Sequence, residues 1–324
     1  MPPRVTIIVP TFRRVGPLSD AVRSLFAQSA LDRIRPSLII VDNDPQGSAL
    51  ATANALSAKA PGALQTKVIH CKQAGVANAR NAALDCVDTP LVAFVDDDQT
   101  APETWLEELL KAYEASRAAV TFGPVDAVLP VDVKVHRAFF ETFFSRRPGH
   151  NTGLIPEFYG CGNALLDLGQ LPKRAPLFDP KMNEVGGEDD LLFMHAERAG
   201  CTFGWAENAR VWEHVPTQRA RLKYTLTRAI AYGQGPTRKA EASRKYPELL
   251  FWIGVGTSQF AVYSILAGLG WLTGAPQRAA WLDKAARGLG KVIWRWKLKF
   301  YGQSQLPAPN HSNPATGRAG QPQT

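Results

Sequence analysis

Two groups of acidic residues are the first candidates for chemistry in this chain. The run Asp96–Asp98 directly follows the apolar stretch LVAFV, and the run Glu188–Asp190 lies within GGEDDLLF. Like charges about 4 Å apart repel by roughly 1 kcal/mol in water, and by more in a partly dry cleft. Each group therefore needs a compensating positive charge or a special local environment.

The first acidic run has the features of a metal site. In an extended chain successive side chains point to opposite faces, so Asp96 and Asp98 project to one side and Asp97 to the other. Hard cations such as Mg²⁺ bind carboxylate oxygens, use only one or two protein ligands and share their remaining positions with substrate phosphates. We therefore expect a divalent cation here, with a solvated acidic turn as the alternative.

The second acidic run has two interpretations. Glu188, Asp189 and Asp190 would lie in the first turn of a helix, EDDLLFMHAERAG, where the helix dipole and free backbone amides favour anions. In that case they only stabilise the start of the helix. The preceding loop LFDPKMNEVGG would instead deliver them to a surface cleft, where a carboxylate can act as a general base.

The elements that must position these acids alternate between β-branched apolar runs and segments of helical periodicity. This pattern is typical of β-α units around a parallel sheet, so we predict an α/β fold. Ligands of such sheets bind at the carboxyl ends of the strands. The predicted strands are VTIIVP, SLIIVDND, TKVIHC, LVAFVDDD and AAVTFGPV, and the predicted helices are GPLSDAVRSLFAQS, GVANARNAALDC and PETWLEELLKAYEAS.

The second half of the chain is less regular. Residues 127–157 contain several prolines and one amphipathic stretch, VHRAFFETFF, which predicts a mobile loop with a short helix. Residues 302–324 lack aromatic residues, and their composition predicts disorder. Between them we predict a strand in FYGCGNALLDL, the helix that begins at Glu188, a β-hairpin in TFGWAENARVWEHVP and a basic helix in QRARLKYTLTRAIAYGQG.

Charge and cysteine content narrow the class of protein. Residues 216–302 hold 15 Lys and Arg against 3 Asp and Glu, whereas residues 1–215 hold 21 against 26. Such a basic block usually meets phosphate, and we assign it to an anionic membrane surface and expect no nucleic-acid partner. The four cysteines lack CxxC spacing, so neither a zinc site nor a disulfide framework is indicated. The amino-terminal apolar run is too short for a signal peptide, which predicts a cytoplasmic protein.

The segment from Leu249 to Gln277 is the candidate for membrane contact. Its 29 residues carry no charge, and roughly 20 apolar residues suffice to span a bilayer. Four Lys and Arg in 238–245 and seven in 278–299 flank it, so a single crossing would leave one basic flank outside. We therefore favour an interfacial or re-entrant segment, clamped by KVIWRWKLKF, and keep a buried helix pair as the alternative.

Seven motifs, taken in order, resemble the family 2 glycosyltransferases of the GT-A fold, and they are most similar to the bacterial branch of succinoglycan-type exopolysaccharide transferases. The likeness covers roughly residues 4–216 and is far more specific than a lone DXD motif. The motifs are VTIIVPTFRR, LIIVDND, GVANARNAAL, LVAFVDDD, GCGNALL, FDPKMNEVGGEDDLLFMHAERAG and EHVP.

The resemblance implies a Rossmann-like nucleotide-diphospho-sugar transferase domain with a mostly parallel sheet. We expect this catalytic domain in residues 1–216, a basic, apolar and membrane-associated helical segment in 217–301, and a disordered tail in 302–324. On the donor side the implied residues are Pro10, Thr11, Phe12 and Asp42 around the nucleotide base, Arg80 near the diphosphate, and Asp96, Asp97 and Asp98 at the ribose and the Mg²⁺ or Mn²⁺ ion, with Asp98 as its direct ligand.

On the acceptor side the resemblance implies Asp189 as the general base, with Glu188 as a weaker candidate. Leu191 stands where many relatives carry a further acid, so the choice between Asp189 and Asp190 stays open. His214 in WEHVP would be a late ligand of the metal or phosphate, although a histidine at a strand end is often structural.

The same resemblance implies two further features on the acceptor side, a residue and a loop. Asn163 and the 127–157 loop lie where relatives bind the acceptor, and Cys161, between two glycines, suits tight packing.

The implied activity is an inverting transfer of a sugar from a nucleotide-diphosphate sugar to a hydroxyl of a glycan or lipid-linked acceptor, in cell-surface polysaccharide synthesis. The enzyme would lie on the cytoplasmic face of the plasma membrane as a peripheral or monotopic protein. A non-catalytic sugar-nucleotide-binding or membrane scaffold protein is one alternative. A nucleotidyltransferase is another, but PTFRRVGPL is not the glycine-rich phosphate loop that it would need.

Overall fold

The computed structural model describes residues 4–296 and residue 298. Buried apolar strands form a twisted sheet, and amphipathic helices cover both of its faces. The predicted tail, 302–324, lies outside the described residues. The strands are β1 Val5–Thr11, β2 Ser37–Asp42, β3 Gln65–His70, β4 Leu91–Phe94, β5 Gln99–Thr100, β6 Val120–Phe122, β7 Val125–Val128, β8 Gly153–Ile155, β9 Ala164–Asp167, β10 Phe203–Trp205 and β11 Val211–His214.

The predicted helices form in the predicted order, and two further helices, Leu31–Ile34 and Leu50–Ser57, were not predicted. A 3₁₀ turn, Pro180–Met182, precedes the helix that carries the second acidic run. The α-helices are α1 Val15–Phe26, α2 Leu31–Ile34, α3 Leu50–Ser57, α4 Val76–Leu84, α5 Trp105–Ser116, α6 Arg137–Phe144, α7 Glu188–Arg198, α8 Leu222–Gly233, α9 Gly235–Ala242, α10 Tyr246–Thr273 and α11 Arg278–Val292.

The main sheet has eight strands in the order β3-β2-β1-β4-β9-β6-β10-β8. Strands β3, β2, β1 and β4 are parallel, as are β6 and β10, whereas β9 is antiparallel to both of its neighbours. The predicted α/β fold with a mostly parallel sheet is therefore confirmed. Since β1, β2 and β4 end at the same edge, their following residues meet there.

Two strand predictions were wrong. AAVTFGPV is not one strand, because the chain breaks at Gly123 and Pro124 and continues in a separate three-stranded sheet ordered β5-β11-β7. TFGWAENARVWEHVP is not a hairpin, because β10 pairs with β6 and β8 in the main sheet while β11 pairs with β5 and β7. A proline cannot donate to a strand ladder, which favours the break at this point.

The predicted loop at 127–157 contains more regular structure than expected. It holds the end of β7, helix α6 and strand β8. The phenylalanines of α6 pack against the helix that opens the basic block, with Phe144 and Tyr224 stacked at a centroid distance of 6.3 Å. This contact places the segment beside the edge of the sheet where the acids lie.

Helices α10 and α11 form a hairpin whose close packing depends on glycine. A Cβ atom on Gly256 would lie 2.7 Å from the Gly288 carbonyl oxygen, and one on Gly288 would lie 2.6 Å from the Phe260 backbone nitrogen. Residues 249–273 of the apolar segment thus lie in one continuous helix of 28 residues, Tyr246–Thr273. This helix is long and apolar enough to cross a membrane. Only 11% of its most apolar stretch is buried, so the alternative of a buried helix pair does not describe it.

Candidate active site

A cavity of about 1090 Å³ opens at the carboxyl ends of β1 and β4, between the sheet and helices α4, α7 and α8. Both acidic runs line it, although they are about ninety positions apart in the chain. The charged residues along its central wall are Asp96, Asp97, Asp98, Glu188, Asp189, Asp190, Glu213, Arg14, Arg80, Arg146 and Arg219.

Arginines compensate the first acidic run. Asp97 accepts hydrogen bonds from the Thr11 hydroxyl at 2.7 Å and from Arg14 Nη1 at 2.9 Å. Asp98 accepts from the same Arg14 nitrogen at 2.6 Å and from Arg219 Nη1 at 3.3 Å. Burial raises the pKa of Asp98 to about 7, an effect that Arg14 opposes and the neighbouring aspartates reinforce. The negative charges of these aspartates therefore lie close together, and the arginine side chains partly neutralise them.

Asp96 differs from its two neighbours because it faces the open cavity. Its side chain is 38% exposed, against 7% for Asp97 and Asp98, and Arg80 Nη2 lies 3.7 Å away. The predicted alternation is wrong, because Asp97 and Asp98 both accept a hydrogen bond from Arg14 Nη1 and so lie on the same side. Strand β4 ends at Phe94 and residues 97–98 form a turn, so the run is not extended.

The oxygen donors of Asp96 and Asp98 fit a divalent cation that takes its remaining ligands from phosphate and water. Among the described residues no group of three His, Cys, Asp or Glu side chains forms a complete metal cage. The donor set therefore suits Mg²⁺ or Mn²⁺ bound together with a diphosphate, and does not suit a site built from protein ligands alone.

The second acidic run opens α7 after two glycines with positive φ, Gly186 at 81° and Gly187 at 82°. Such backbone angles favour glycine and turn the chain sharply into the helix. Asp189 Oδ2 accepts a hydrogen bond from the Cys161 backbone nitrogen at 3.0 Å, which holds its carboxylate beside Gly160. Asp190 lies exposed at the rim of the same cavity.

Glu188, the first residue of α7, is buried and forms an ion pair with Arg80. Burial and the neighbouring Asp189 charge raise the pKa of Glu188 to about 7, whereas Arg80 opposes this rise. The Arg80 guanidinium also lies over the rings of Phe94 and Phe178, at 5.6 and 5.4 Å from their centroids. One arginine thus joins the start of α7 to the Asp96 side of the cavity.

The GCGN turn closes the cavity between the two acidic runs. Arg146 donates hydrogen bonds to the carbonyl oxygens of Gly123, Gly160, Gly162 and Asn163, and burial lowers the pKa of this arginine to about 10. Cys161 is buried, and burial raises the pKa of its thiol. The Cys161 side chain therefore packs in the protein interior, and the Cys161 backbone nitrogen orients Asp189.

Three residues predicted to contact substrates or metal lie elsewhere. Asp42 is fully buried behind the cavity wall, where its carboxylate accepts from the backbone nitrogens of Asp44 and Ala49, and Asn43 lines the cavity in its place. Asn163 is fully buried too. Its Oδ1 accepts a hydrogen bond from Trp105 Nε1 and its Nδ2 donates to the carbonyl oxygens of residues 124 and 209, so it holds these loops together and does not line the cavity.

His214 is the third residue, and it points away from the cavity because successive side chains of a strand face opposite sides. In β11 the side chain of Glu213 faces the cavity, whereas His214 is exposed on the other face with Nε2 at 2.9 Å from Thr100 Oγ1. Burial and the charges of Asp98 and Asp96 raise the pKa of Glu213 well above its usual range.

The other predicted site residues are brought together in one cavity. These are Pro10, Thr11, Phe12, Arg80, Asp96, Asp97, Asp98, Glu188, Asp189 and Asp190. Sequence reasoning missed Arg14, Asn43, Arg146, Glu213 and Arg219. Asn43 directly follows β2, so the rule that ligands bind at strand ends could have identified it. Arg14 lies three residues after β1, and Arg146, Glu213 and Arg219 carried no comparable signal.

An aromatic and basic wall borders the cavity on the side away from β1. Phe143 and Phe144 of α6 face Tyr232 and Tyr224 of α8, and all four line the cavity. Arg228 and Arg238 lie on the same side. This wall connects the acidic centre to the α8–α11 helices.

One solved structure matches the fold across nearly the whole chain. The mannosyltransferase PcManGT from Pyrobaculum calidifontis, in complex with GDP-Man and Mn²⁺, covers 92% of this chain and 89% of its own at a TM-score of 0.59 and 18% identity. S. aureus TarS matches at a TM-score of 0.46 and 16% identity over 71% of this chain, which spans 39% of the TarS chain. The match to PcManGT indicates a shared fold.

Sequence comparisons are more specific. The succinoglycan biosynthesis protein ExoM of Rhizobium meliloti (strain 1021) is 33% identical over 231 residues, which are 71% of this chain and 73% of ExoM. The family model Glycosyl transferase family 2 matches residues 6–168, from β1 through β9, and includes the Asp96–Asp98 run. This chain belongs to glycosyl transferase family 2.

Proposed function

We propose that this glycosyltransferase moves a sugar, with inversion, from a nucleotide-diphosphate sugar to a hydroxyl of a lipid-linked glycan during exopolysaccharide synthesis. The observation that carries the proposal is that the Asp96–Asp98 and Glu188–Asp190 runs line a single cavity at the carboxyl edge of the sheet. Donor and acceptor chemistry require this pairing of a cation-binding acid group with a separate base. The likeness to ExoM supports the assignment to polysaccharide synthesis.

On the donor side, Pro10, Thr11 and Phe12 with Asn43 would hold the nucleoside where β1 and β2 end. Asp96 and Asp98 would hold Mg²⁺ or Mn²⁺. When bound, such a cation neutralises negative charge on the leaving diphosphate. Arg80 lines the same cavity and is preorganised by Glu188 and two aromatic rings, so its guanidinium would stabilise the same charge without rearrangement.

On the acceptor side, Asp189 is the best placed base. Glu188 is engaged by Arg80, and Asp190 is exposed at the rim, whereas the carboxylate of Asp189 is oriented by the Cys161 amide. Asp189 would accept the proton as the acceptor oxygen bonds the anomeric carbon and the bond to the diphosphate breaks on the opposite face. A single displacement of this kind inverts the anomeric configuration.

The acceptor would approach along the aromatic wall formed by Phe143, Phe144, Tyr224 and Tyr232. Apolar and aromatic linings with a few polar groups are usual in small-molecule sites. This wall leads to the α10–α11 hairpin, where α10 exposes the apolar side chains Leu250, Phe251, Val262, Ile265, Leu269 and Leu272. An exposed apolar helix with basic flanks suits binding in the plane of an anionic membrane surface, on the cytoplasmic face.

The charged helix α11 favours this interfacial placement over a crossing. It packs antiparallel along α10, with Lys291 near Gly256 and Arg278 near Gly270. A bilayer crossing by α10 would carry α11 and its basic residues into the hydrocarbon core, which is costly.

A donor screen and a matched pair of variants test the proposal. Thermal shifts with UDP-, GDP- and dTDP-sugars, each with and without Mn²⁺, should identify one donor, and transfer is then measured with lipid-linked oligosaccharide acceptors. Asp189→Asn should keep the thermal shift and lose transfer by about 10²- to 10⁴-fold, as expected for loss of a general base. Asp190→Asn should lose far less. Donor binding without transfer by the wild type would favour a non-catalytic binding protein instead.

A further inference from the structure

The side chain of Arg14 occupies the position where a cation would meet Asp98. Its Nη1 donates to Asp97 Oδ1 at 2.9 Å and to Asp98 Oδ2 at 2.6 Å. Both aspartate side chains are only 7% exposed. A second guanidinium, that of Arg219, approaches the same Asp98 oxygen at 3.3 Å. One of the two carboxylate oxygens that Asp98 could offer to a divalent cation is thus already an acceptor for two arginines.

These contacts create a competition. A divalent cation and Arg14 repel each other when both lie within bonding distance of one oxygen, and the repulsion is strong in a cavity shielded from water. A diphosphate that arrives with the cation removes the conflict, because it brings several negative charges and phosphate oxygens. The planar guanidinium fork of arginine binds such oxygens well.

The geometry of Arg14 permits a change of partner. It is the residue before α1, its side chain is 32% exposed, and it lines the cavity. Both of its bonds to the aspartates come from Nη1, one of three guanidinium nitrogens. A rotation of this long side chain can therefore release Asp98 without any shift of β1 or α1.

We propose that Arg14 is an exchangeable counter-ion, which neutralises Asp98 until cation and donor diphosphate arrive together and then transfers its guanidinium to the diphosphate. Arg219 supports the same exchange from the loop before α8. The consequence is coupled binding, in which the cation binds weakly alone and tightly with nucleotide. This inference rests on the proposed donor site, and it assigns a role to two residues outside the DXD motif.

The neighbouring Arg13 provides a matched control. Its side chain is 29% exposed, close to that of Arg14, but Nη2 bonds Asp44 at 3.2 Å and the residue does not line the cavity. Arg13→Gln removes the same charge one position away. It should therefore leave cation binding at Asp98 as in the wild type.

Mn²⁺ binding, followed by electron paramagnetic resonance of the free ion, tests the proposal without any turnover. Titrations are run on the full chain alone and with UDP, GDP or dTDP. In the wild type the best nucleotide should tighten Mn²⁺ binding at least tenfold. In Arg14→Gln, Mn²⁺ alone should bind at least fivefold more tightly than in the wild type, and the nucleotide should tighten it less. Arg219→Gln should shift in the same direction by a smaller factor.

The outcomes separate the exchange from the donor proposal. Equal or weaker Mn²⁺ binding to Arg14→Gln in the absence of nucleotide would overturn the exchange, as would a nucleotide effect as large as in the wild type. Tight Mn²⁺ binding that survives Asp98→Asn in the Arg14→Gln background would overturn it as well, because the ion would then lie elsewhere. If Arg14→Gln fails to fold, the Arg219→Gln comparison decides. Absence of UDP, GDP and dTDP binding to every variant contradicts the proposed donor site, while the nucleotide-free titrations still test the exchange.

Discussion

Arg80 and Glu188 form a buried ion pair that connects helix α4 to the first turn of α7, with side-chain exposures of 5% and 6%. The two residues are 108 positions apart in the chain. The pair fixes the direction in which α7 enters the cavity, and therefore the place of the next residue, Asp189. The stability of the pair and the geometry of the base are thus linked.

Removal of one partner should be strongly destabilising. Glu188→Ala leaves the Arg80 guanidinium buried without its carboxylate, and breaking such a pair typically costs about 3–5 kcal/mol. We expect a loss of this size in the free energy of unfolding, measured with urea. The double variant Arg80→Met/Glu188→Leu should recover much of the loss, since no uncompensated charge stays buried. Additive effects of the two single variants would contradict a direct interaction.

The same pair predicts how stability depends on pH. The pKa of Glu188 is raised to about 7 from an ordinary value of 4.5, so the native protein binds more protons than the unfolded chain between these values. Stability should therefore fall as pH rises through this interval, by on the order of 1–3 kcal/mol from this residue. Glu188→Gln still accepts from Arg80 but cannot ionise, and it should flatten the decline in Tm between pH 5 and 7.5. Glu114→Gln, at an exposed position of α5, should leave the decline unchanged.

Much of the site could be predicted because local rules govern it. Asp96–Asp98 follow a buried parallel strand, and Glu188–Asp190 begin a helix after two glycines, so sequence alone located both groups. It is harder to predict toward which face of the sheet a residue at the end of a strand points. Glu213 and His214 are both polar, and a shift of one residue decides which of them meets the cavity. The pairing of Asp98 with Arg14 and Arg219 required long side chains from distant segments, for which no local pattern exists.

The fold was predictable where periodicity is strong, as in β1, β2, β4, α1 and α5. It was not predictable where strands are short and change sheets. Strands β10 and β11 are separated by a turn-like AEN sequence, which favours a hairpin locally. Instead, β10 pairs with β6 in the main sheet and β11 pairs with β7 in the three-stranded sheet. Tertiary pairing therefore overrides the local preference.

Two glycines in the helical hairpin should respond in opposite ways to the same substitution. A Cβ atom on Gly288 would lie 2.6 Å from the Phe260 backbone nitrogen, whereas Gly268 has no neighbouring atom within 4 Å. Gly268→Ala should stabilise the protein by about 0.5–1 kcal/mol, because alanine loses less conformational entropy in a helix. Gly288→Ala should destabilise it by about 1–3 kcal/mol through overpacking between α10 and α11. The free energy of unfolding of both variants is to be measured by chemical denaturation in detergent-free buffer. Equal effects of the two substitutions would contradict the close contact between the helices.

The exposed face of α10 should determine membrane binding. Ile265 and Leu269 lie one helical turn apart and are 65% and 54% exposed. Their replacement by serine removes apolar area that would enter the lipid interface, at roughly 25 cal/mol per Å². We expect Ile265→Ser/Leu269→Ser to weaken binding to phosphatidylglycerol vesicles at least tenfold in a sedimentation assay, and to leave Tm within a few degrees of the wild type because neither side chain is buried.

Leu154 provides the matched control for this experiment. It is 61% exposed on the edge strand β8 of the main sheet, far in sequence from the helical hairpin. Leu154→Ser should leave vesicle binding unchanged, whereas an equal loss in both variants would indicate nonspecific adsorption of apolar surface.

Salt separates the electrostatic from the apolar contribution to vesicle binding. Since the charges that flank α10 are screened at high ionic strength, 0.5 M NaCl should weaken binding of the wild type and should not abolish it. Complete release by salt would assign the membrane contact to the basic block alone and contradict insertion of α10.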